Sequence, residues 1–208
     1  MGATGSPRAR YREQLREEIK QAAKGQLDNA GGAAGLSLNG IARELGMRGP
    51  SLYHYFASRD ALLDELLLDT YREVLDGMRE TVAAARADGL PALQILRRVA
   101  LDYRGWAIRQ PALFDLLYGR PLPGYQAPPE TGPLARENLM IMIGLIHEAR
   151  GSGGDELREI AVRFLARLHG LMTLEVNGHL ALMVPDPEGV YTREVDAVLA
   201  WTVSPDAP

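Results

Sequence analysis

The chain of 208 residues has no cysteine. That absence excludes a disulfide framework, a thiolate zinc site, an iron–sulfur cluster and a cysteine nucleophile. Long apolar runs are missing too, and none approaches the ~18 residues a membrane-spanning helix needs. The opening segment, Met1 to Pro7, is small and polar and lacks the apolar stretch of a secretory signal. The expectation is a cytoplasmic protein with no membrane partner. No alternating strand pattern, no Asn-Gly hairpin turn and no fixed-period repeat is visible. Enzyme signatures are lacking as well. Gly35-Leu-Ser37-Leu-Asn39 is one residue short of a nucleophile elbow and has no strand ahead of it. There is no Walker loop and no dinucleotide fingerprint. The chain therefore reads as a non-enzyme without a cofactor.

What is present is an ordinary globular balance, 46% hydrophobic and 24% charged, enough to bury a core. Charge is unevenly placed. The formal net charge is −4, yet residues 1–60 hold nine basic and six acidic groups, a net of +3, and the remainder is −7. A basic head on an acidic body is compatible with nucleic-acid binding despite an acidic whole.

Proline and glycine divide the chain into helices. Arg8 to Leu27 has a helical period with Tyr11, Leu15, Ile19, Ala22, Ala23 and Leu27 on one side. Ser37 caps a short helix to Leu45, and Pro50 opens another through Tyr55. Ser58 caps a long helix, Arg59 to Ala87. Leu90–Arg109, Ala112–Tyr118, Leu134–Arg150, Asp155–Met183 and 187–202 follow. Residues 119–133, with Pro121, Pro123, Pro128, Pro129 and Pro133, read as an irregular loop. The fold class is all-α with about nine helices, divided at residue 60 into a compact three-helix head, 1–60, and a helical body, 61–208.

The most informative stretch runs from Leu38 to Phe56. Two short helices that cross at ~90–120° through a tight turn need a small residue where they approach, a positive φ at the turn and an apolar plug between them. Ala42, Gly46 and Leu52 meet these needs in that order, and Ile41, Leu45 and Phe56 supply core. In such a helix-turn-helix the second helix enters the DNA major groove by its N-terminal end.

Here the sequence resembles a known family. Ile41-Ala-x-x-Leu-Gly46, Ser51-Leu-Tyr-His-Tyr-Phe56 and Ser58-Arg-Asp-x-Leu-Leu63 are similar to the N-terminal domain of the TetR family of bacterial transcriptional regulators. The body residues Tyr103-Arg-Gly-Trp106-Ala107, Pro111, Leu116 to Tyr125 and Leu168-His-Gly-Leu171 resemble a subgroup of these regulators from high-GC actinobacteria. The resemblance implies a ligand-responsive homodimer, usually a repressor, that binds a double-stranded DNA operator and is released by a small-molecule effector. An activator of the same fold, a helical small-molecule-binding protein without DNA function and an all-α enzyme are the alternatives.

Candidate residues follow from both lines. Arg48, Gly49, Pro50 and Ser51 open the recognition helix, where Arg48 can make the two-point contact to guanine O6 and N7. Tyr53 and Tyr55 offer hydroxyls to phosphate, His54 lies in the same helix, and Ser37 caps a helix N-terminus that can donate to phosphate. Asn39 matches a family position that reaches the groove, and Arg59 matches one that contacts phosphate. The N-terminal Arg8, Arg10 and Arg12 are further backbone or minor-groove candidates. For an effector cavity the candidates are Tyr103, Trp106, Phe114, Leu117, Tyr118, Tyr125, Met140, Ile143, His147, Phe164, Leu168 and Met172, an apolar wall with few polar groups. Arg104, His147 and His169 are possible polar anchors. Glu175 and His179, four apart on one helix, are too few ligands for a metal site. The apolar residues Phe164, Leu165, Leu168, Leu171 and Leu174, with Val195, Val198, Leu199 and Trp201, are the expected dimer surface.

Overall fold

A computed structural model describes residues 6–29, 32–119, 122–151, 153–204 and 207. Residues 1–5 of the segment read as lacking a signal, parts of the glycine-rich breaker (30 and 31) and residues 120 and 121 of the proline-rich loop lie outside the described residues. Ten α-helices and no strand occur among the described residues. In chain order these are α1 Pro7–Asn29, α2 Leu38–Glu44, α3 Gly49–Leu52, α4 Arg59–Ala87, α5 Ala92–Arg109, α6 Pro111–Tyr118, α7 Thr131–Arg150, α8 Glu156–Val176, α9 Leu180–Met183 and α10 Pro187–Thr202.

The extra helix has a local cause. The segment Asp155–Met183, expected as one helix, is broken where Gly178 takes a φ of 74° after Asn177. A left-handed residue ends an α-helix, and Asn-Gly is a common C-terminal signal for it. The loop before α7 is also shorter than expected, because Pro133 falls in the first turn of α7, where a missing N–H costs nothing.

The chain forms two compact units, 1–70 with 112–129, and 71–111 with 130–208. The helix α4 supplies residues to both. In the first unit Ile19, Ala23 and Leu27 of α1 are buried, as are Ile41, Ala42, Leu52 and Phe56 around the turn and Leu62, Leu63 and Leu66 of α4. Tyr11, expected on the buried side of α1, is 65% exposed. Residues 6–14 are exposed throughout, so the periodicity there has no partner. Leu45 is only half-buried.

In the second unit the cores of α5, α7, α8 and α10 interlock. Ile95, Leu96, Ile146, Ile160, Phe164, Leu168, Met172, Tyr191, Val195 and Val198 are all buried. One ion pair sits at the edge of this core. Arg104 of α5 donates from Nε and Nη2 to the two oxygens of Glu175, at 2.9 and 2.5 Å, with both side chains largely buried. Beside it the Tyr191 hydroxyl donates to the Ala100 carbonyl at 3.2 Å, and burial pushes the phenol pKa up.

Candidate functional site

The helix-turn-helix is closed as its geometry requires. Gly46 has a φ of 64°, a conformation that would strain any residue with a Cβ. Ala42 and Leu52 are at most 1% exposed, which fits a close crossing with an apolar plug. The Ser37 hydroxyl accepts from the Gly40 N–H at 3.2 Å and so caps α2. The Ser37 N–H in turn donates to Gln26 Oε1 of α1 at 3.1 Å. Gln26 is a positioning residue that spacing alone could not find, since eleven positions separate the partners.

The residues expected at DNA are partly open to solvent. Ser37, Asn39, Arg48, Pro50, Tyr53 and His54 are exposed, while Gly49, Ser51, Tyr55 and Arg59 are half-buried. Arg48 has extended backbone and immediately precedes α3, whose first turn holds Pro50. Asn39 Oδ1 lies 3.2 Å from where a Cβ on Gly49 would stand. A larger residue at 49 would push against Asn39, so the two positions are set together. α3 is shorter than expected and ends at Leu52, and Tyr53 to Tyr55 continue as a turn.

The back of this face is pinned by α1. Arg16 donates from Nη1 to the Tyr55 carbonyl at 2.6 Å, stacks over the Phe56 ring at 4.5 Å and pairs with Glu65. Lys20 is bound by Asp69 and Glu17, each at 2.6 Å. Burial works against its charge, but the two carboxylates outweigh it and hold its pKa above the ordinary value. Arg12 reaches the His54 carbonyl only at 3.5 Å. Several of the head's bases are thus spent internally, whereas Arg8, Arg43 and Arg48 remain exposed. Arg59 lies 3.5 Å from Asp60.

The twelve cavity candidates are divided between the two units. Phe114, Leu117, Tyr118 and Tyr125 belong to the first unit, and the other eight to the second. In the first unit Phe114 is buried against Tyr118, and the Tyr125 hydroxyl donates to Asp64 at 2.8 Å. Burial and that bond raise the Tyr125 pKa. In the second unit Phe164, Leu168 and Met172 are core, Met140 is 51% exposed, Ile143 is half-buried and His147 is exposed. Tyr103 and Trp106 line a groove, of about 470 Å³, between the later part of α4 and α5. Their rings stack in parallel, 5.6 Å apart and 7° from coplanar. Val74 and Val99 add apolar surface, and Glu73, Asp76, Glu80, Asp102 and Arg109 add charge. Sequence reasoning missed these last residues, although Glu73, Asp76 and Glu80 recur at i, i+3 and i+7 on one helical face.

Of the expected polar anchors, Arg104 is committed to Glu175. His169 lies beside Tyr103, ring to ring at 5.7 Å, and burial pushes its imidazole pKa down to about 4. No group of three or more metal-ligating side chains occurs among the described residues. Part of the expected dimer surface needs correction, while Leu165, Leu171, Leu174 and Trp201 are half-buried. Phe164, Leu168, Val195, Val198 and Leu199 are buried within the protomer, because the inward faces of α8 and α10 pack on each other and on α5. The open face of α8 carries Val162, Ala166, Gly170 and Thr173.

Known proteins resolve the question of kinship. Residues 26–66 match the model of the bacterial regulatory proteins of the tetR family, and residues 96–198 match a tetracyclin repressor-like C-terminal domain. The HTH-type transcriptional regulator Rv1816 of Mycobacterium tuberculosis is 44% identical over 91% of this chain and 94% of its own. The chain belongs to the TetR family. The crystal structure of regulatory protein SCO4313 superposes with a TM-score of 0.77 at 34% identity, covering 94% of this chain and all of that one. A TetR family regulator, PfmR from Thermus thermophilus, shares the fold with a TM-score of 0.66 at 16% identity over 88% of this chain and 97% of that one. The protein is a TetR-family transcriptional regulator with a helix-turn-helix DNA-binding domain, not an enzyme, and no helix among the described residues is long and apolar enough to cross a membrane.

Proposed function

We propose that the protein is a cytoplasmic repressor that binds a palindromic operator as a homodimer and releases it when a small molecule occupies the α4/α5 groove. Residues 1–60 act as the DNA-binding domain and 61–208 as the effector-binding and dimerisation domain. The observation that carries the DNA part is the open edge of the helix-turn-helix, with Arg48 exposed ahead of α3 and Ser37 and Asn39 exposed on α2. Arg48 reads a guanine, Pro50 and Gly49 approach a thymine methyl, and Tyr53, Tyr55, Arg59 and the N-terminus of α2 hold phosphates.

The dimer uses the open face of α8, where Val162, Ala166, Gly170 and Thr173 allow close approach of a second copy. Two-fold symmetry then sets half-sites about one DNA turn or a multiple apart, ~34–36 Å per turn. Release follows from differential affinity, since an effector shifts the equilibrium only as far as it prefers the conformation that binds DNA poorly.

Selection of random duplex DNA on purified protein, followed by anisotropy of the winning sequence across a salt series, tests the reading. The expected result is a palindrome bound with a steep negative salt slope. No enriched sequence from a folded dimer, both before and after unfolding and refolding to strip bound ligand, would overturn it.

A further inference from the structure

The α4/α5 groove is built asymmetrically in charge. Its wall is the parallel Tyr103–Trp106 stack. Its rim holds four carboxylates, Glu73, Asp76, Glu80 and Asp102, against one guanidinium, Arg109. Two of the carboxylates shape the wall. Glu73 accepts from the Trp106 indole Nε1–H at 2.9 Å and fixes the plane of the ring. Asp102 accepts from the Thr81 hydroxyl at 2.9 Å, which ties α5 to α4 across the groove. Asp76 is held by Arg79 at 2.9 Å, and Glu80 has no hydrogen bond or ion pair to another described residue.

We infer that this groove binds an organic cation with an apolar aromatic body, and that organic cations are the effector class. The inference rests on the reading of the groove as the effector site. An aromatic body displaces water from the indole and phenol faces. A positive charge beside those faces is attracted by the ring quadrupoles, most strongly by tryptophan. The same charge meets the field of the surrounding carboxylates at distances shorter than the screening length in physiological salt. An anion of identical shape gains the apolar contact but meets repulsion from the rim and from the π-faces. Charge sign is therefore the property this groove discriminates.

Tetraphenylphosphonium and tetraphenylborate share one shape and differ in sign, and neither intercalates in DNA. The test titrates both, in potassium-free buffer, into the full-length Trp201→Phe protein. Trp106 is then the sole tryptophan, and its quenching reports occupancy. The expected result is saturable binding of the phosphonium at least tenfold tighter than the borate, with that preference shrinking as sodium chloride is raised. A combined Asp76→Asn and Glu80→Gln variant, changed only at exposed positions, should weaken phosphonium binding at least fivefold with an unchanged circular dichroism spectrum. Equal or tighter binding of the borate would overturn the inference, as would unchanged phosphonium affinity in that variant.

A second arm uses Trp106→Leu and equilibrium dialysis, where retention of full phosphonium affinity would also overturn it. Operator anisotropy with and without the phosphonium separates the two readings. Phosphonium binding that leaves operator affinity unchanged supports the cation site and removes the groove from control of DNA. Failure to bind any operator strikes the regulator reading while the fluorescence result for the groove stands.

Discussion

The two units solve opposite problems with the same material. In the first, most of the residues proposed to meet DNA are exposed, and the rest of the unit supports them from behind. Arg16 grips the Tyr55 carbonyl, Gln26 clips the start of α2, and Gly46 sets the turn. In the second, the groove proposed as the effector site has its walls on two consecutive helices, α4 and α5, tied by the Thr81–Asp102 and Glu73–Trp106 bonds. A rigid reading edge needs stiff local geometry, whereas a binding groove needs surface left unfilled between packed helices. Charge follows the same division, with exposed arginines on the head and a carboxylate rim on the groove.

The largest effect expected within either unit is in the body. Arg104→Ala leaves Glu175 with its charge largely buried and unpaired, at a cost of about 3 kcal/mol in urea unfolding. Replacing both partners, Arg104→Met with Glu175→Leu, should return most of that stability. If the single and double variants are equally destabilised, the pair matters by packing alone.

The head should respond in binding rather than folding. Arg48→Ala is expected to weaken the selected operator by ~1–3 kcal/mol and to relax preference at one position of each half-site. Arg59→Ala should weaken all sequences alike and reduce the salt slope by about 1. An equal loss on every sequence for Arg48→Ala would move it from base reading to phosphate binding.

Turn strain gives a further, smaller contrast. Gly46→Ala puts a Cβ in left-handed backbone, costing ~1–2 kcal/mol. Thermal unfolding of the isolated change should reveal it, together with loss of operator affinity because the angle between α2 and α3 depends on that turn. A variant with unchanged melting and binding would mean that the turn tolerates a side chain.

A pH dependence is expected in the body. The folded-state pKa of His169, about 4, lies below the 6.5 of a free imidazole, so the unfolded chain takes up its proton first as pH falls. The contribution is fully present above about pH 6.5 and is lost between 6.5 and about 4, at up to ~1.4 kcal/mol per pH unit. Chemical denaturation of the protein and of His169→Gln across that window measures it as a difference. Parallel curves for the two proteins would show that His169 does not titrate on unfolding.

Legibility in the sequence differed between the units for a physical reason. Ala42, Gly46 and Leu52 could be assigned from spacing, because a tight turn constrains neighbours in the chain. The Asn177-Gly178 stop was equally readable and went unread under the longer apolar period around it. Tyr11 illustrates the limit of periodicity, which states that a face is apolar and not that anything covers it. Some of the cavity candidates show a related limit. Phe164, Leu168 and Met172 carry the apolar pattern of a pocket wall and of a core equally well, and packing on α5, α7 and α10 made them core. Likewise, five of the nine apolar residues expected at the dimer surface pack inside the protomer.

By itself, then, the sequence determined the all-α class, the helix-turn-helix and the uneven charge of head and body, since each depends on local residue spacing or counts. Only the tertiary structure decided that Trp106 and Tyr103 face a carboxylate-rimmed groove, that Arg104 is neutralised by Glu175, and which face of α8 remains open. Those outcomes depend on which helices pack together and how completely they fill the space between them, and no local pattern along the chain encodes that.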